Sequence, residues 1–179
     1  MKIVIKHRTT QKVLFECEAE DIKSAVSKAV AAKTDLIGAD LRYANLGGVD
    51  FRGVDLRGVD PRGANLRDAD FRGADLSDFE VPVIDNIHQA VLAACSVEGA
   101  LDMYAWHTCE TTHCRAGWVV TLAGEAGKRL EGKIGTPTAA MFIYIASDPT
   151  LDRLPDLYCG NEDAMEDMRR LAKPSNGAE

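Results

Sequence analysis

Long apolar runs are missing from this chain. No stretch approaches the ~20 residues that a membrane-spanning helix requires, and the apolar part of Met1-Lys2-Ile3-Val4-Ile5-Lys6-His7 is too short for a signal peptide. A cytoplasmic location without a membrane partner is therefore the expectation. Regular cysteine spacing is missing as well: five cysteines, an odd number, argue against a secreted disulfide framework. There is no P-loop, dinucleotide glycine motif, G-x-S-x-G elbow or H-E-x-x-H sequence, which excludes several common enzyme classes. Positive charge is in deficit. The net charge of −7 divides into +3 over residues 1–33, −3 over 34–79 and −7 over 80–179. Phosphate neutralisation supplies most nucleic-acid affinity, so the acidic C-terminal half disfavours direct binding to DNA or RNA. It suits solubility, a basic partner or imitation of a polyanion.

What is present is a period of five. From Thr34 the chain reads TDLIG, ADLRY, ANLGG, VDFRG, VDLRG, VDPRG, ANLRD, ADFRG, ADLSD. A small residue holds the first place, Asp or Asn the second, and a large apolar residue the third: Leu36, Leu41, Leu46, Phe51, Leu56, Leu66, Phe71 and Leu76, with Pro61 as the departure. Neither a 3.6-residue helix nor a two-residue strand has this period, and the glycines at 47, 48, 53, 58, 63 and 73 oppose a helix. Every fifth residue must return to an equivalent place. First- and third-place side chains can then share one interior, while Asp or Asn bonds nearby backbone as in turns.

These residues resemble the pentapeptide-repeat family, whose consensus is A(D/N)Lxx. The resemblance implies a right-handed quadrilateral β-solenoid with four pentapeptides per coil, hence about two coils and a column about 10 Å long. The whole chain then reads as α+β. A β-hairpin and helix cap spans 1–33, the solenoid 34–79, and a helical C-terminal domain 80–179. So short a column exposes two ends that need covering. Pro61 deletes a ladder donor, and a local irregularity is expected there. Some relatives that confer quinolone resistance imitate DNA against type II topoisomerases. Imitating one helical turn needs about 34 Å, which two coils do not supply.

Arg42, Arg52, Arg57, Arg62, Arg67 and Arg72 occupy the fourth place and are the candidate binding residues. They read either as an arginine band for an anionic partner or as a solvated face neutralised by the aspartates two residues before them. In the flanks, 2–7 and 12–18 read as strands and 21–33 as a helix. Further helices are expected near 84–96, 114–132, 137–147 and 161–173. Thr136 is the expected N-cap of the third of these with Pro137 at its first position, and Glu166 is placed to pair with Arg170 in the last.

Reactive side chains concentrate in Trp106-His107-Thr108-Cys109-Glu110-Thr111-Thr112-His113-Cys114-Arg115-Ala116-Gly117-Trp118. His107, Cys109, His113 and Cys114 are candidate zinc ligands, although H-x-C-x₃-H-C departs from the usual spacing. Alternatively, Cys114 is a thiolate nucleophile in the first turn of a helix capped by Thr111 or Thr112, with His107 or His113 as base. The plain alternative is packing: buried cysteine behaves as a small apolar residue. This segment, with residues 85–90 and 123–127, also resembles a C-terminal region that accompanies pentapeptide repeats in phage and prophage proteins.

Three functions follow as expectations. The first is a non-catalytic protein–protein interaction module, a phage-encoded binder or inhibitor of a host factor, with a homo-oligomer allowed. The second is a small zinc or thiol-dependent enzyme centred on Cys109, His113 and Cys114. The third is a protein that sequesters an anionic ligand with the repeat arginines.

Overall fold

In this computed structural model the described residues are 1–105, 111–151 and 153–173. The fold class is α+β, a two-stranded antiparallel sheet with six helices. Strand β1 (Lys2–Lys6) pairs with β2 (Val13–Glu18), with a register shift between Ile5 and Lys6. Helix α1 (Ile22–Ala31) starts where the Asp21 carboxylate accepts the Ser24 N–H at 2.8 Å, and it buries Ala25, Val26 and Ala29. No helix among the described residues is long and apolar enough to cross a membrane.

The repeat contributes no strand. Its extended pairing is reduced to single-residue parallel bridges: Asp40 with Asp60, Asn45 with Asn65, Asp50 with Asp70, and Asp55 with Asp75. The reason lies in each pentapeptide. The third-place C=O accepts the N–H of the next first-place residue, as in Ala44 to Leu41 at 3.2 Å and Val54 to Phe51 at 3.0 Å. The chain therefore turns every five residues, and no side is long enough to make a strand. The fifth place is the inner turn residue with positive φ, which Gly48, Gly53, Gly58 and Gly73 adopt without strain. The second-place side chain accepts the N–H two residues on, at every repeat from Asp35 to Asp75.

The chain thus returns beside itself every twenty residues. Leu36, Leu41, Leu46, Phe51, Leu56, Leu66 and Phe71 are buried, and Phe51 stacks on Phe71 with centroids 5.1 Å apart. Leu76, expected in the same interior, is only half-buried, because the chain leaves the repeat through a 3₁₀ turn (Ser77–Phe79) directly after it. The irregularity expected at Pro61 is absent. Bridges on both sides stay in register and Ala64 still donates to the Pro61 C=O at 3.0 Å. Pro61 lies in the second circuit, where the missing N–H would have pointed to a third circuit that the chain does not make.

Each end is covered. On the first circuit, the end of β1 substitutes for a preceding rung: Asp40 donates to the Lys6 C=O and Arg8 donates to the Gly38 C=O, both at 2.8 Å. On the second, helix α5 (Thr136–Ser147) brings Phe142 edge-on to Phe71 at 5.9 Å and to Phe79 at 5.0 Å. Helix α5 is buried from Thr138 through Tyr144 and packs on α3 (Arg115–Leu122) and α4 (Gly124–Ile134), while α2 (Ile87–Cys95) packs on α3 and on α6 (Asn161–Leu171). One buried cluster runs from Ile5 through the repeat to Met168, so the three segments share a core.

Several helix expectations need correction. The single helix over 114–132 is two, broken at Ala123 and Gly124, where Gly124 has φ +60°. The two pieces cross closely: a Cβ on Gly127 would lie 2.4 Å from the Val120 carbonyl oxygen. Gly135, not Thr136, is the N-cap of α5, and the Thr136 hydroxyl donates to Glu131 instead. Arg170 pairs with Asp167 at 2.6 Å, not with Glu166.

Phe71→Ala is expected to lower unfolding free energy by about 3–5 kcal/mol, since it empties the contact between repeat and α5. Gly127→Ala is expected to cost about 1–3 kcal/mol, because a backbone oxygen cannot move aside cheaply. Urea denaturation of the two variants beside the parent chain measures both.

Candidate functional site

The repeat arginines are held by their own aspartates. In Arg42, Arg52, Arg57, Arg62 and Arg72, Nε and Nη2 both donate to the carboxylate two residues before, at 2.5–3.1 Å. Three of them also reach the aspartate of the next circuit: Arg42 to Asp60 at 3.7 Å, Arg52 to Asp70 at 3.5 Å and Arg57 to Asp75 at 3.5 Å. Arg67 differs because Asn65 precedes it in place of aspartate. It pairs instead with Asp156 at 2.6 Å, while Arg153 pairs with Asp68 at 2.8 Å, so two ion pairs join the repeat to the segment after α5. The six arginines form rows, as the sequence predicts, but rows of alternating charge fixed in position.

The hydrogen bonds from arginine hold Asp40, Asp50, Asp55, Asp60 and Asp70 below the ordinary carboxylate range, Asp50 at about 2. A carboxylate depressed on folding stabilises the fold above its unfolded value and loses that contribution as pH falls through its folded value.

Of the reactive segment, His107 and Cys109 lie outside the described residues. Cys114 is the N-cap of α3, its Sγ accepting the Gly117 N–H at 3.4 Å, so neither Thr111 nor Thr112 caps that helix. The Thr112 hydroxyl donates to the Gly99 C=O at 2.8 Å. Cys114 is 1% exposed, and burial pushes its thiol up, outweighing the backbone N–H groups that favour the thiolate. This is the reverse of the activated thiol expected from a helix start. His113 is buried edge-on to Trp118 with centroids 4.7 Å apart, and its backbone pairs with Leu101. Among the described residues no group of three His, Cys, Asp or Glu side chains could hold a metal ion.

The sequence reading missed the main polar contacts of the helical region. Arg115 is 1% exposed, yet its Nε donates to the Tyr144 hydroxyl at 2.9 Å and its Nη1 to Asp167 at 2.6 Å. Burial raises the Asp167 carboxyl, but hydrogen bonds from Arg115 and Arg170 prevail and hold it low. His88 pairs with Asp148 at 2.9 Å and stacks on Tyr144 with centroids 5.8 Å apart. The available signal was an arginine at the head of the apolar run Ala116–Leu122 and a tyrosine in the middle of apolar α5.

A groove of about 490 Å³ lies between these two parts. The repeat forms one wall with Ala69, Phe71, Gly73, Ala74 and Leu76; Ile145, Pro149, Leu151 and Leu154 form the other. Asp70, Arg72, Glu80 and Asp148 also line it, all in ion pairs: Asp70 with Arg72, Glu80 with Lys133 at 3.2 Å and Asp148 with His88. Apolar walls with a few polar groups, in a cleft of this size between structural units, are the usual form of a ligand or peptide site.

Two outcomes are expected. Iodoacetamide should modify half-buried Cys17 first, then Cys159, half-buried with its thiol pushed up by burial, and last the buried Cys95 and Cys114, whose thiols burial also pushes up, Cys95 to about 12; peptide mapping of the native protein reads the order. Stability should fall as pH drops from about 4 towards 2, and the Asp50→Asn/Asp70→Asn double variant should flatten that limb in urea titrations at stepped pH.

Comparison with known proteins matches residues 26–58 and 44–79 to the family model described as Pentapeptide repeats, in eight copies. No curated protein and no solved structure matches the chain. The match covers well under half of the 179 residues, and within it the chain carries pentapeptide repeats.

Proposed function

We propose that the chain is a non-catalytic protein-interaction module in which residues 34–79 are a short right-handed, four-sided β-solenoid. Supporting the solenoid reading are the bridges twenty residues apart, the turn at every fifth residue and the burial of first and third places. The single observation that carries the binding reading is the fixed charge lattice. Five arginines are each locked by two bonds to a neighbouring carboxylate, so the outer face is preorganised and loses little freedom on meeting a partner. Charges already matched in pairs suit a protein surface of mixed sign better than a free anion, which would have to compete with six aspartates.

In its finer form the module is cytoplasmic and phage-encoded, and its partner is a host factor; the likeness of the C-terminal segments to phage proteins supports this. A thiol-dependent enzyme would need Cys114 reached by solvent and its proton easily lost, and burial opposes both.

Affinity capture from host lysate tests the reading. The parent chain should enrich one protein saturably, and Arg52→Glu/Arg57→Glu should reduce that recovery at least about tenfold, as expected when paired surface charges are reversed, while circular dichroism stays unchanged. Intact-mass and thiol-profiling measurements are made on the same preparation. No saturable partner, together with a stoichiometric metal or a fast-reacting thiol, would replace this reading with the enzyme.

A further inference from the structure

The two circuits pair by a fixed rule. A third-place N–H of the first circuit donates to a second-place C=O of the second: Phe51 to Asp70 at 2.7 Å, Leu56 to Asp75 at 3.1 Å. The fifth place donates likewise, Gly53 to Arg72 at 3.0 Å, and second-place N–H groups donate back, Asp70 to Val49 at 3.0 Å and Asp75 to Val54 at 2.9 Å. On the far edge of the second circuit the same groups stand open. The N–H groups of Phe71, Gly73 and Leu76 and the C=O groups of Ala69 and Ala74 have no hydrogen-bond partner among the described residues. All five residues line the groove against α5.

We propose that this open edge is a β-augmentation site that takes an extended peptide segment of a partner protein, without net charge, as the next rung of the ladder; the proposal rests on the binding-module reading above and gives it a place and a chemistry. The edge offers donors and acceptors at the spacing that the first circuit already satisfies on the opposite side, and main-chain bonds of this kind supply affinity in strand addition. A large apolar side chain of the peptide would pack against half-buried Leu76, the one third-place leucine that the fold leaves incompletely covered, while Phe71 is already covered by Phe142. The charged groups that line the groove are already paired, Asp70 with Arg72, Glu80 with Lys133 at 3.2 Å and Asp148 with His88 at 2.9 Å, so the edge suits a segment without net charge. The fold itself pairs a non-repeat segment with a circuit edge once: the end of β1 bonds to Gly38 and Asp40 on the first circuit.

The probe is a blocked peptide with the sequence of residues 49–57, alanine standing at the place equivalent to Phe51 because Phe142 fills the space over Phe71, titrated into the full chain while amide hydrogen exchange is followed by NMR. Exchange at Phe71, Gly73 and Leu76 should slow at least about tenfold at about 1 mM peptide. A peptide N-methylated at the residues equivalent to Asp50 and Asp55 lacks the donors for Ala69 and Ala74 and should bind at least about tenfold more weakly. Absence of binding overturns the proposal, as does equal affinity of the methylated peptide, which would mean a filled apolar cleft without a ladder. Slowing confined to other amides would move the contact elsewhere and leave the module reading standing. Protection of the same three amides in peptide-free protein, growing with protein concentration, would assign the edge to a second copy and also overturn it.

Discussion

The structure depends on a turn repeated at intervals of five. The hydrogen bond from a first-place N–H to the preceding third-place C=O turns the chain, and three residue choices make that turn inexpensive. Glycine supplies the positive φ at the fifth place, Asp or Asn binds the fourth-place N–H, and a large apolar side chain at the third place faces inward. Tyr43 and Asp68 adopt the same positive φ without being glycine, at φ +57° and +58°. Asparagine and aspartate tolerate that region. Tyr43 does not do so readily, and it is held by its rung, where its N–H donates to the Arg62 C=O at 3.0 Å.

A column so short is nearly all ends, so the flanking segments are part of its stability. At one end the match is made by backbone, through Lys6 and Arg8 of the hairpin. At the other it is made by side chains: Phe142 of α5 meets Phe71 and Phe79, and the ion pairs of Arg67 and Arg153 hold the segment that follows. Side-chain packing covers the interior but leaves backbone groups unpaired.

The repeat was legible because its period is independent of tertiary context. Third-place burial and the role of Asp and Asn follow from spacing, whereas the pairing of residues twenty apart came from the resemblance to pentapeptide repeats, since a period of five does not say how many pentapeptides make a circuit. The extent of Arg–Asp locking did not follow from either, since sequence shows the two-residue separation but not that Nε and Nη2 both reach one carboxylate. Pro61 was misread for a related reason. Its missing donor is costly only where another rung follows, and where the repeat stops is set by the turn at Ser77–Phe79. In the helical region the apolar periodicity located helices, but it ran through the break at Gly124, because a single glycine within an apolar pattern is compatible with either a continuous or a divided helix. Arg115 was invisible as a core residue, since arginine is buried only when partners far along the chain, here Tyr144 and Asp167, satisfy it. The reactive segment attracted attention by residue type, yet the pKa of Cys114 is decided by burial, which residue type does not report.

Asn65 shows how one substitution in the repeat changes the use of a charge. Wherever aspartate precedes arginine, the guanidinium is held by the carboxylate of its own pentapeptide, and in Arg42, Arg52 and Arg57 by that of the next circuit as well. Asparagine keeps the turn, bonding the Arg67 N–H at 3.1 Å, but carries no charge to hold the side chain. Its amide donates instead to Asn45 at 3.0 Å, and Arg67 is released to Asp156 in the helical region. Arg67 thus ties the repeat face to the segment that follows α5. A second-place Asn before an Arg thus marks, from sequence, the point where a regular surface makes a specific contact, while Asp before Arg marks a position that stays within the lattice.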